Sequence, residues 1–212
     1  MFHRLDPVEQ RVLGCLIEKQ RTTPEQYPLT LNALRLACNQ TSNRDPVLEL
    51  DETEVRSAAQ SLGTIGYARL ATGPGSRTAK YRQLFAEALD LMPAEVSILA
   101  VLMLRGPQTV AELKTRTARL HAIADVAAEL ARLEQKELVR LVPRQPGQRE
   151  DRWVHLLAEE PRESSSGSAE EPREGSPGPA EEAPASLERR VERLEGRLGE
   201  LEQLLAARGL LG

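Results

Sequence analysis

Apolar residues recur along this chain at helical spacing, interrupted at regular intervals by turn formers. Asp6-Pro7-Val8-Glu9 has an N-cap, a proline at the first helical position and an acid in the first turn, so it opens a helix. Val8, Val12, Leu13, Leu16 and Ile17 form its apolar face, and Thr22-Thr23-Pro24 ends it. Thr30 caps a second helix carrying Leu31, Leu34, Leu36 and Ala37, followed by a polar loop from Asn39 to Pro46. Asp51 and Glu54 have capping-box spacing, and Val55, Ala58, Ala59, Leu62 and Ile65 continue as a third helix until Gly63 and Gly66 stop it. Two short strands are then predicted, Tyr67–Thr72 and Thr78–Arg82, on either side of a turn at Gly73-Pro74-Gly75-Ser76. A helix running into a basic hairpin is the second half of a winged helix.

The same order then returns. Pro93-Ala94-Glu95 with Ile98, Leu99 and Leu102 repeats Pro7-Val8-Glu9 with Val12, Leu13 and Leu16. Pro107-Gln108-Thr109 repeats Pro28-Leu29-Thr30, and Leu138–Leu141 repeats Tyr67–Leu70. Arg152-Trp153 echoes Lys80-Tyr81. The offset falls from 86 to 79 to 71 and ends at 72, as it should if the second copy has shorter loops. The expected fold class is therefore mainly α with small β-hairpins (α+β). Two tandem winged-helix domains are expected at 1–86 and 87–158.

From 159 to 185 the composition changes to Glu, Pro, Ser, Gly and Ala, which cannot bury enough apolar surface to offset ordering entropy; this is expected to be an acidic disordered linker. Periodicity resumes in a C-terminal helix expected over 186–208. There Leu187, Val191, Leu194, Leu198, Leu201 and Leu205 form a heptad seam. Arg190 and Arg197 at g would face Glu195 and Glu202 at e across a parallel pair, so the expectation is self-association as a homodimer. Helix-interior Gly196 and Gly199 each cost about 1 kcal/mol.

Charge refines this picture. The formal net charge is -4, but residues 1–158 carry 21 Lys and Arg against 19 Asp and Glu, whereas 159–212 carry 7 against 13. Aromatic residues make up only 3%, so the cores are aliphatic. Cys15 and Cys38 lack metal-ligand spacing and read as small buried apolar side chains. No apolar run spans a bilayer, the longest being Val96–Leu104, and the N-terminus has no signal-like apolar region, so a soluble cytoplasmic protein is expected.

Candidate chemistry points away from catalysis. His3, His121 and His155 are scattered, and neither GxxxxGKS/T nor a strand-borne GxGxxG occurs. The expectation is a non-enzymatic protein with no cofactor and no metal. For nucleic acid, the first hairpin offers Arg69, Arg77, Lys80 and Arg82, with no acid between Ala68 and Arg82, suiting phosphate contact. On the third helix Arg56, Ser57 and Gln60 are the candidate base readers, and the second hairpin adds Arg144 and Arg149. Double-stranded DNA is thus the leading expected partner. The helices that would enter the major groove are themselves acidic, however, so a protein partner gripped by those faces and by the heptad tail is the alternative.

The stretch Tyr27-Pro28-Leu29-Thr30-Leu31-Asn32-Ala33-Leu34, with Ala37-Cys38-Asn39-Gln40-Thr41-Ser42-Asn43-Arg44-Asp45-Pro46-Val47, resembles the YceH-like family of bacterial proteins. The similarity covers about residues 5–157, including Arg105-Gly106-Pro107-Gln108-Thr109 and the Arg152-Trp153 strand. The resemblance implies a body of two winged-helix domains. It implies no activity and brings no functional residues.

Overall fold

A computed structural model describes residues 2–71, 79–144, 147 and 149–158. The heptad tail, the linker and the tip of the first hairpin, including Arg77, lie outside the described residues. The described residues belong to one compact unit.

Seven α-helices and two small antiparallel sheets make up the described body, an α+β arrangement. The first half runs α1 (Pro7–Thr22), a 3-10 turn (Pro24–Gln26), β1 (Leu29–Thr30), α2 (Leu31–Cys38), α3 (Glu52–Thr64), β2 (Ala68–Ala71) and β3 (Lys80–Gln83). A short α4 (Phe85–Ala88) leads into the second half: α5 (Pro93–Arg105), α6 (Val110–Thr117), α7 (Val126–Gln135), β4 (Val139–Val142) and β5 (Arg152–His155). Three helices followed by a hairpin thus occur twice.

Local chemistry sets the helix starts. Asp6 accepts from the Val8 and Glu9 amides while Glu9 accepts from the Asp6 amide, and Asp51 and Glu54 make the same reciprocal pair at α3. Thr30 caps α2 through the Ala33 amide, and Thr109 caps α6 through Glu112. The correspondence of the halves extends to the sheets. Leu29 pairs with Tyr81, and Gln108 makes an isolated bridge to Trp153, so a minimal strand flanks each hairpin at the equivalent place. Neither β1 nor α4 is signalled by periodicity. A two-residue strand is too short to show a period, and α4 is a single turn anchored by fully buried Phe85, which packs edge-on against Tyr67 at 5.1 Å.

The halves share one core. Helix α5 is buried from Ala94 to Leu104, which explains why its apolar run shows no amphipathic stripe: a helix covered on all sides needs none. It packs along α1 at Gly14, where an added Cβ would lie 2.8 Å from Leu104 Cγ. The chain closes where the Leu5 amide donates to the Leu157 carbonyl at 2.7 Å. Among the described residues no helix is long and apolar enough to cross a membrane.

Candidate nucleic-acid interface

Helix α3 buries Val55, Ala58, Ala59 and Leu62, so its opposite side carries the predicted readers exposed. Ser57 sits at the edge of that side. Arg56 lies one turn from Glu52, with a side-chain separation of 3.7 Å, and Gln60 follows at the next turn. Ser57 instead lines a groove of about 450 Å³ between the start of α1 and α3, in company with Asp6, Glu9 and Glu54. Those carboxylates are the capping groups of the two helices, so the groove is acidic because two helix starts meet there.

The first hairpin gathers its bases more effectively. Strand β3 is central, paired with β1 on one side and β2 on the other, and its register sets Arg69 opposite Arg82 and Ala71 opposite Lys80. Because side chains alternate along a strand, Arg69, Lys80 and Arg82 share one sheet face. Tyr81 and Gln83 point the other way and are buried. Like charges directly opposite each other repel, and Arg82 is relieved by Glu87 at 2.9 Å. Among the described residues Arg69 and Lys80 have no acidic partner. Arg77 falls outside the described residues.

Weaker positive character marks the second hairpin. Arg144 and Arg149 are exposed, but the Arg144 amide donates to Asp151 at 2.9 Å, and Glu150 and Asp151 stand beside Arg149 in sequence. Arg152 turns away to Glu112 and the Pro107 carbonyl, both at 2.9 Å.

In the polar loop from Asn39 to Pro46, Asn39 and Arg44 turn inward. Asn39 brackets Leu50, donating to its carbonyl at 2.8 Å and accepting from its amide at 2.9 Å. Arg44 is only 6% exposed; it donates to Glu18 at 2.5 Å and to the Ala37 carbonyl at 2.9 Å. Glu18, 1% exposed and not on a solvated face as its charge suggests, also accepts from Arg119 of the second half. Burial opposes the Glu18 charge, but the hydrogen bonds and charge of Arg44, then those of Arg119, outweigh it and hold the carboxyl below its ordinary value. Arg11 donates to the Cys38 and Pro46 carbonyls from the other side of this loop, and Arg105 donates to Asn43. Sequence periodicity carries no sign of this cluster, since its members are distant in sequence. Cys15 and Cys38 are both buried free thiols. Among the described residues no group of His, Cys, Asp and Glu is placed to hold a metal ion.

A family described as "Protein of unknown function, DUF480" matches residues 5–148. The chain is 52% identical over 163 residues to a UPF0502 protein of Geobacter sulfurreducens, covering 74% of each. It is 44% identical to a UPF0502 protein of Pseudomonas syringae pv. tomato, over 96% of this chain and 91% of the other. With a UPF0502 protein of Cronobacter sakazakii the identity is 41%, covering 95% and 99%. The extent of these matches is consistent with the YceH-like resemblance carried by the Tyr27–Val47 stretch, and the chain belongs to the DUF480/UPF0502 family.

Proposed function

We propose that the protein is a non-enzymatic DNA-binding regulator built of two winged helices, contacting the phosphate backbone through the first wing. The observation that carries this reading is the shared sheet face of Arg69, Lys80 and Arg82, two of whose charges have no acidic partner among the described residues. Guanidinium and ammonium groups held on a hairpin reach phosphates while α3 supplies Arg56 and Gln60 toward the bases. The heptad seam at Leu187, Val191, Leu194, Leu198, Leu201 and Leu205 would pair two such bodies in parallel. In this reading Arg77 extends the wing's charge, and Arg144 and Arg149 make secondary contacts.

The test is fluorescence anisotropy of the full chain on a mixed-sequence duplex at low and near-physiological salt. Binding should weaken with salt at a slope of about -0.9 per phosphate neutralised. Arg69→Ala and Lys80→Ala should each weaken it on all sequences and flatten the slope by about 1. No binding at low salt removes the reading.

One observation favours an alternative, a protein-interaction module: the groove between α1 and α3, with its capping carboxylates, repels phosphate and suits a basic peptide. A chain that ignores duplex DNA but retains a Lys-rich peptide, and loses it in Ser57→Arg, supports this reading.

A further inference from the structure

The basic face of the first hairpin lies close to the point where the chain leaves the described body. Ala158, the last residue of that body, pairs with Leu5, and its carbonyl accepts from Arg4 at 3.3 Å. Two residues before Leu5, the His3 amide donates to the Tyr67 hydroxyl at 3.1 Å, and the two rings meet edge-on at 6.2 Å. Tyr67 immediately precedes β2, so Arg69 follows two residues later. Chain geometry along this path places Arg69 on the order of 30 Å or less from Ala158.

The chain beyond Ala158 has the opposite sign. Residues 159–185 carry eight Glu against two Arg, whereas 186–212 carry five of each. On the hairpin Arg69 is exposed, and neither it nor Lys80 has an acidic partner among the described residues. Arg82 already holds one carboxylate, Glu87, at 2.9 Å, so the face accepts such groups in the geometry it has. An extended chain spans up to about 3.3–3.6 Å per residue. Glu170, Glu171, Glu174, Glu181 and Glu182 are therefore all far enough along the segment to meet Arg69.

We propose that the acidic segment 159–185 docks on the Arg69, Lys80 and Arg82 face of its own chain, supplying carboxylates to the charges left open there. Exposed ion pairs are individually weak. The tether offsets this, because it holds the carboxylates at an effective concentration on the order of millimolar. The balanced charge of 186–212 provides no such attraction. The docking does not depend on what else the wing binds. Its regulatory consequence rests on the DNA-binding reading: the segment competes with phosphates for the same cations, and DNA must displace it.

Carbodiimide coupling of the full chain, read by mass spectrometry, tests the docking, because it joins a carboxylate to an amine only where the two touch. At low salt Lys80 should couple to glutamates of 159–185 several-fold more than does Lys114, an exposed lysine of α6. The excess should vanish at about 1 M salt, where charges act over only about 3 Å. It should also fall in Arg69→Ala with Arg82→Ala, which leaves Lys80 in place. Equal coupling of the two lysines, or an excess indifferent to salt, overturns the proposal. So does coupling found only between labelled and unlabelled chains in an equilibrated mixture, which assigns the face to a second copy's segment. Replacing the eight glutamates by glutamine should tighten duplex binding about tenfold at low salt, and equal affinity of the two chains overturns the competition. Coupling at Lys80 with no duplex binding by either chain upholds the docking and removes the DNA reading. Duplex binding without the coupling excess does the reverse.

Discussion

Glu18 shows what a single buried carboxylate does in an aliphatic core. It holds Arg44, which in turn fixes the Ala37 carbonyl, and it reaches Arg119 in the other half. Arg119 is 41% exposed, so solvent screens its share and Arg44 is the partner that matters. Glu18→Ala would leave the Arg44 charge buried without its counter-ion, and a loss of about 3–5 kcal/mol is expected in urea unfolding. Two buried groups contribute to the acid response in different pH ranges. Burial pushes His155 down to about 4, so between its ordinary value and about 4 the unfolded chain binds the extra proton and stability falls as pH falls. Glu18, held below its ordinary carboxylate value, loses its contribution only at lower pH, as it protonates in the folded state. Melting temperatures from pH 7 to 4 should therefore decline in the wild type, and His155→Gln should flatten the upper part of that decline.

At the scale of elements, the helix starts follow from adjacent residues. Thr109→Ala removes the cap on the Glu112 amide and should cost about 1 kcal/mol by thermal unfolding. Such caps need partners only three residues away, which is why Asp6 with Glu9, Asp51 with Glu54, and Thr30 could be read directly from sequence. The hairpins were legible for a similar reason, and the register adds what alternation alone did not settle, the pairing of Arg69 with Arg82. The loop from Asn39 to Pro46 could not be read this way. Its composition fits a solvated turn, and its actual role depends on Glu18, 26 residues before Arg44, and on Arg105, 62 residues after Asn43. The candidate interface was accordingly half legible: its basic strand residues were, whereas the turning of Ser57 toward an acidic groove depends on where α1 lies.

For the whole molecule, the contact of α1 with α5 joins two repeats into one core, so they are expected to unfold together. Leu13→Ala in the first repeat and Leu99→Ala in the second should each cost about 2–5 kcal/mol and shift the same single denaturation transition. Two separate transitions, each moved by only one substitution, would refute this. The bond between the Leu5 amide and the Leu157 carbonyl has a consequence for biosynthesis. Synthesis at about 5–20 residues per second runs from the amino end, so the first residues wait roughly 8–30 s for the segment that pairs with them. For roughly the first two thirds of that interval, until α5 has been made, the apolar flank of α1 has no α5 to cover it. The yield of the nascent first repeat should therefore depend on translation speed through α5, measurable by expression with slowed codons there.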